Sequence, residues 1–211
     1  HFFINGGTRA FVMRVVPPDA QVAKAECVEG KENTLEISAK SAGSWGNSVV
    51  VNFEPASTSK TQELENLGKG KYRLKSAAGF DVGDVVAVDG EAEAQYGIIK
   101  SVAGDTVTFE EPFEGSIVDK ALLPKITIKT CEMNVIVQQG ELLEKYMGVS
   151  FNVASPLFIE KALSKSELIT LKAQPIEGAV VPIDVVKQVF GIDGEEIQIT
   201  LSGGTNGTAS S

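Results

Sequence analysis

The sequence predicts an α+β protein with a β-rich middle, of sandwich or barrel type, and a mixed α/β portion. The mixed portion is made by the N-terminal strand and the C-terminal third. Two observations carry this. Short β-like runs separated by turn residues recur through the middle of the chain, as in small barrels and sandwiches. Apolar residues at helical spacing alternate with strand-like runs after residue 139, which mixes the two element types at the C-terminal end.

Taken in order, Asn5-Gly6-Gly7 is a turn signal. Residues 9–16, rich in Val and Phe, read as a largely buried strand. Pro17-Pro18 ends it, because proline has no N–H for a ladder and the second ring holds the first extended. Residues 20–30 fit a strand or a short helix equally. Residues 34–39 alternate cleanly, as a half-buried strand does. Lys40-Ser41-Ala42-Gly43-Ser44-Trp45-Gly46-Asn47 then turns the chain into a second strand over 49–53, and it carries the only tryptophan. Glycine and asparagine reach left-handed backbone at little cost, so this is a tight connection that pins an indole between two strands. The competing role is an exposed ring that grips a partner or a sugar.

From residue 56 the character changes. Polar, turn-rich connectors at 57–61 and 68–71 flank residues 62–67, a segment too short to stand as a helix without packing. Four β-like runs follow at 72–75, 85–88, 96–102 and 106–109, with hairpin-type turns at Asp89-Gly90 and Gly104-Asp105. Residues 126–137 alternate again, with a bend at Met133-Asn134. Leu142, Leu143, Tyr146 and Met147 stand at helical spacing and predict a short helix over 141–147, stopped by Gly148. Ser155-Pro156 opens a helix over 157–163. A strand over 168–173, a helix over 182–190 stopped by Gly191, and a last strand over 196–201 complete the reading.

Composition narrows the function classes. The chain has 211 residues, 43% hydrophobic and 22% charged, as an ordinary globular protein has. A net charge of -9 argues against nucleic acid, whose binders carry a basic stripe. No apolar run reaches the roughly 18 residues that suggest a membrane-spanning helix. Cys27 and Cys131 lie far apart and read as reduced, buried thiols. The lone histidine is His1, so neither a nucleophilic triad nor a metal set with ligand-type spacing can be assembled from the sequence. The acidic groups Glu91 with Glu93, Glu110-Glu111, and Asp193 with Glu195-Glu196 sit in hydrophilic, turn-like contexts and read as solvated surface. Asp81 and Asp84 flank Gly83 without the spacing of a calcium loop. No cofactor is expected, and the chain reads as a scaffold or assembly subunit rather than an enzyme.

Four stretches carry a resemblance. Gly43-Ser44-Trp45-Gly46-Asn47 followed by alternating valines resembles the G-x-W-G-N segment of contractile tail sheath proteins, the subunits that sheathe phage tails and R-type bacteriocins. Residues 2–15, with Asn5, Gly6, Gly7 and Arg14, resemble the family's F-F-x-N-G-G-x-x-x-x-V-x-R-V stretch. Glu144, Tyr146 and Ser150 fall on its E-x-Y-x-N-L-S segment, with Gly148 where Asn is usual. Gly203, Gly204 and Gly207 fall on its L-x-G-G-x-D-G exit, with Asn206 where Asp is usual.

The resemblance implies a central fragment of a sheath subunit. Residues 1–56 and 125–211 would form its core portion, in which 1–17 with 139–211 are mixed α/β and 20–56 with 125–138 are β-rich. Residues 57–124 would be an inserted, dispensable β module. The implied partners are other sheath subunits, the tail tube and the baseplate, in a virion or tail-like particle assembled in the bacterial cytoplasm. The terminal arms that link neighbouring subunits in that family are expected to be missing, leaving a monomer or weak oligomer. A competing reading is a carbohydrate- or surface-binding β module with Trp45, or Tyr96 and Tyr72, as its stacking platform.

Overall fold

The computed structural model of the chain describes residues 15–27, 34–89, 94–113, 126–174, 183–190 and 197–208. The first strands in chain order are β1 (Lys24–Glu26), β2 (Thr34–Ala39), β3 (Val50–Ala56), β4 (Lys60–Gly68) and β5 (Lys71–Leu74). They are followed by β6 (Val85–Asp89), β7 (Gln95–Ala103), β8 (Thr106–Phe109), β9 (Thr127–Thr130), β10 (Glu132–Gln139) and β11 (Leu142–Val149). Helix α1 (Ile159–Leu163), β12 (Ile169–Gln174), helix α2 (Ile183–Phe190) and β13 (Ile197–Thr200) complete the order. Among the described residues the protein is mostly β, with three antiparallel sheets and only short helices, so the expected β-rich character holds while the protein departs from a clear α+β class.

The main reason for that departure is β11. Its apolar residues fit helical spacing, but a helix needs a surface on which to bury them. Leu142, Leu143 and Met147 stay 53–60% exposed. Backbone pairing decides instead. Gly140 takes φ +59° in a two-residue turn, and β10 and β11 pair antiparallel from Gln139 opposite Leu142 to Met133 opposite Val149. The register slips by one residue near the end, where Gly148 sits at φ +62° as a β-bulge. Residues 62–67 likewise lie within a strand, β4.

The sheets are ordered β1-β2-β12 and β11-β10-β3-β13, and β4-β5-β8-β7-β6-β9 closes into a barrel. The sixth barrel strand comes from the run over 126–137, which the sequence shows as one alternating stretch. The chain breaks at Cys131 rather than at Met133-Asn134: β9 completes the barrel, and β10 pairs along the whole of β3, with Glu132 opposite Ala56.

Two apolar clusters result. Tyr72, Phe109 and Phe113 fill the barrel with Leu74, Ile99 and Ile128. Phe109 and Phe113 meet edge to face at 4.7 Å, the arrangement that ring quadrupoles favour. The larger cluster lies among the two sheets and both helices and includes Val51, Phe53, Val135, Val137, Ile159 and Val185. Strand β6 belongs to both: Val86 and Val88 point into the barrel, while Val85 and Ala87 join the larger core. A strand buried on both faces reads as an unbroken apolar run, which explains Val85-Val86-Ala87-Val88. The barrel is therefore seated on the sheets by its own wall.

Candidate functional site

The turn at the tryptophan folds as a short 3-10 helix, Ser44–Ser48. Gly43 precedes it at φ 139°, in the left-handed half of backbone space. Gly46 is buried because the chain passes between two methyl groups: a Cβ there would lie 2.8 Å from both Ala23 Cβ and Ala39 Cβ. This close approach leaves Trp45 half-buried against the larger core, with its ring neither free nor enclosed.

Asn47 ends the motif and reaches across 157 residues of sequence. Its Nδ2 donates to the carbonyl of Gly204 at 2.8 Å, and its Oδ1 accepts the Gly204 N–H at 2.7 Å. One side-chain amide thus satisfies both backbone groups of a buried residue. Gly204 must be glycine, since a Cβ would come within 2.5 Å of the Gly43 carbonyl. Beside this pair, the Ser44 N–H donates to Asn206 Oδ1 at 3.1 Å and Asn206 Nδ2 donates to Ser44 Oγ at 3.0 Å. The W-G-N turn and the Gly-Gly exit are therefore two halves of one clasp.

A third segment closes it. Gln21 pairs antiparallel with Thr205 and Lys24 with Ser202, and the Gly43 N–H donates to the Gln21 carbonyl at 2.9 Å. Further out, the Thr208 N–H donates to Asp19 Oδ2 at 2.9 Å, and the Thr208 hydroxyl donates to the same oxygen. These bonds from the Thr208 hydroxyl and N–H hold the Asp19 carboxyl below its usual range. Gly207, at φ +72°, lets the chain pass 2.6 Å from Asp19 Oδ1 where a Cβ would sit.

Glu144 and Tyr146 form a second knot. Burial pushes the Glu144 carboxyl up, but the Ser166 hydroxyl, the N–H groups of Glu167 and Leu168 and the Tyr146 hydroxyl together bring it below its usual value. The Glu167 N–H and the Tyr146 hydroxyl each lie 2.9 Å from a Glu144 oxygen. Burial, and then the bond to Glu144, push Tyr146 up to about 12. The knot fixes strand β11 to the turn that leads into β12. Ser150 follows it, bridges in parallel to Phe158, and accepts the Asn152 N–H on its hydroxyl at 3.0 Å.

Asp81 and Asp84 line a cavity of about 320 Å³ with Glu132 and Asn152 between the barrel and the sheets. Asn152, 5% exposed, donates to Asp84 Oδ1 at 2.8 Å and to the Val82 carbonyl at 2.9 Å, which ties the two parts together. Burial raises the Asp84 carboxyl above its usual value. Among the described residues, no group of three or more His, Cys, Asp or Glu side chains is arranged to hold a metal ion. Glu110 and Glu111 are exposed. Cys27 and Cys131 are free and buried, and burial pushes both thiols up, Cys27 to about 12.

Of the motif residues, Gly43, Trp45, Gly46, Asn47, Gly203, Gly204 and Gly207 meet in the clasp, while Glu144, Tyr146 and Ser150 lie along β11 and its exit. Asn5, Gly6, Gly7 and Arg14 lie outside the described residues, as do His1, Glu91, Glu93, Asp193, Glu195 and Glu196. Tyr96 and Tyr72 do not form one platform, since Tyr72 is 1% exposed inside the barrel and Tyr96 packs on the other core, where Trp45 is half-buried. The clasp bonds of Ser44 and Asn206, the anchor at Asp19 and the tie at Asn152 went unread. Only Asn206-Gly207, a turn dipeptide, carried a local signal. Among the described residues no helix is long and apolar enough to cross a membrane. Comparison with protein-family models finds none that matches the chain, and none of the curated proteins matches it.

Proposed function

We propose that this chain is part of the structural subunit of a contractile phage-type tail sheath. Such subunits stack helically around a tail tube and contract to drive it through a cell envelope. The observation that carries the reading is the reciprocal pair between Asn47 and Gly204. Two stretches that resemble separate sheath segments and lie far apart in sequence are each other's hydrogen-bond partners.

Two further features support it. Gly148 stands where the family has Asn, and it occupies left-handed backbone, φ +62°, where those two residue types substitute for one another. The motif side chains also act as joints: they hold turns and strand ends to each other through hydrogen bonds instead of converging on a pocket. That suits a subunit whose work is a change between two packings of the same parts. Its partners are other copies of the subunit, the tube and the baseplate, in a tail or tail-like particle assembled in the bacterial cytoplasm.

Electron microscopy of the complete gene product that contains these 211 residues tests the proposal. The expected image is a helical sheath around a tube, in extended and contracted forms. A gene product that stays monomeric beside its tube protein overturns it.

A further inference from the structure

We infer that Asn206 is a site of spontaneous deamidation gated by the clasp. Gly207 follows it, and glycine presents the least hindered backbone nitrogen to a preceding side-chain amide. The fold has no freedom to change that neighbour: at φ +72°, a Cβ on Gly207 would lie 2.6 Å from Asp19 Oδ1 and 2.9 Å from the Ala20 nitrogen.

In the reaction the Gly207 nitrogen attacks Asn206 Cγ. A C–N bond forms, the Cγ–Nδ2 bond breaks, and ammonia leaves carrying the proton from the Gly207 N–H. Water then opens the five-membered imide at one of its two carbonyls, giving aspartate or isoaspartate.

The clasp opposes the first step. Asn206 Oδ1 accepts the Ser44 N–H at 3.1 Å and Nδ2 donates to Ser44 Oγ at 3.0 Å, so the amide must leave Ser44 to face Gly207. The two products then differ. Aspartate keeps an oxygen for the Ser44 N–H. Isoaspartate inserts a methylene into the main chain just ahead of Gly207 and carries Thr208 off Asp19, where its N–H sits 2.9 Å from Oδ2. Isoaspartate formation thus opens the outer end of the clasp.

The test is site-resolved peptide mass spectrometry after incubation in mildly alkaline buffer, native and in urea, with methyltransferase labelling to report isoaspartate. Each hydrogen bond on the amide slows cyclisation by about fivefold, so the two bonds to Ser44 alone should make the native chain convert at least roughly 25-fold more slowly than the unfolded one. Ser44→Ala should recover about fivefold of that in the native state. Asn206→Gln, whose longer amide cyclises poorly, should not convert. Repeating the Ser44→Ala measurement at several sub-denaturing urea concentrations separates local release from global unfolding, because local release does not depend on urea. Equal native and unfolded rates, a Ser44→Ala rate that is unchanged or rises only with urea, or no conversion in the unfolded chain overturns the inference.

Discussion

Replacing Asn47 by alanine tests the clasp most directly. The substitution removes the 2.8 Å bond to the Gly204 carbonyl and the 2.7 Å bond from the Gly204 N–H. Gly204 is buried, so its N–H and carbonyl lose their side-chain partner in a place with little access to water. Two net hydrogen bonds at about 1 kcal/mol each, plus about 1 kcal/mol for a stranded backbone group, give a loss of roughly 3 kcal/mol. For a chain of this size that lowers the melting temperature by roughly 9 °C. Urea unfolding followed by Trp45 fluorescence, the only indole in the chain, reads the sheet side of the molecule. The midpoint should fall with no change in the denaturant slope. Asn47→Asp should lie between wild type and alanine, since it keeps the acceptor for the N–H but sets an oxygen against the carbonyl. A loss below about 0.5 kcal/mol, the range of ordinary surface substitutions, would refute the clasp as a structural joint.

Trp45→Ala should cost about 2 kcal/mol, short of the full price of a core aromatic because the ring is half-buried; a loss above 4 kcal/mol by urea titration would contradict that burial. Removing residues 57–131 and joining Ala56 to Glu132, which already face each other across β3 and β10, should leave a folded remainder. Loop shortening is favourable, while losing buried Val85, Ala87 and Cys131 and the partly buried Tyr96 and Ile98 from the larger core should cost about 5 kcal/mol; absence of a cooperative Trp45 transition would show the barrel to be indispensable. Asp19 and Glu144 are held below 3.8 and 4.5, so their stabilisation is present above those values and lost as pH falls through their lower folded values. Asp84 works oppositely: raised from 3.8, its contribution is complete below that value and lost as pH rises through its folded one. Urea midpoints across pH should thus turn downward in acid, less steeply in Asp19→Asn; an unchanged acid limb would remove Asp19 from the clasp.

Much of the β-content was legible because alternation is local. Residues 34–39, 106–109 and 168–173 carry their burial pattern in their own side chains, and hairpin turns mark the middle of the chain. Strand β11 was not legible, because its apolar residues satisfy helical spacing while Leu142, Leu143 and Met147 among them remain exposed. Its identity rests on β10 opposite and on Gly140 and Gly148 in left-handed backbone. The division of residues 126–137 between barrel and sheet was hidden for a similar reason: one alternating run serves two bodies, and only Cys131 separates them. The glycines of the clasp were visible as motif letters, but what each glycine avoids is a group distant in sequence, such as Ala23 for Gly46 or Gly43 for Gly204.

The pairing of Gln21 with Thr205 and of Lys24 with Ser202 has a mechanical meaning. The incoming and outgoing chains lie side by side and antiparallel, with Asp19 and Thr208 at the outer end. Tension that draws residue 17 away from residue 208 loads these contacts one at a time, as a zipper does, beginning at Asp19. Tension applied to both chains together against the body is shared between two strands and strains the bonds from Gly204 and Asn206 to the tryptophan turn simultaneously. The contacts between the two chains therefore yield to the first kind of load, and the bonds to the tryptophan turn resist the second.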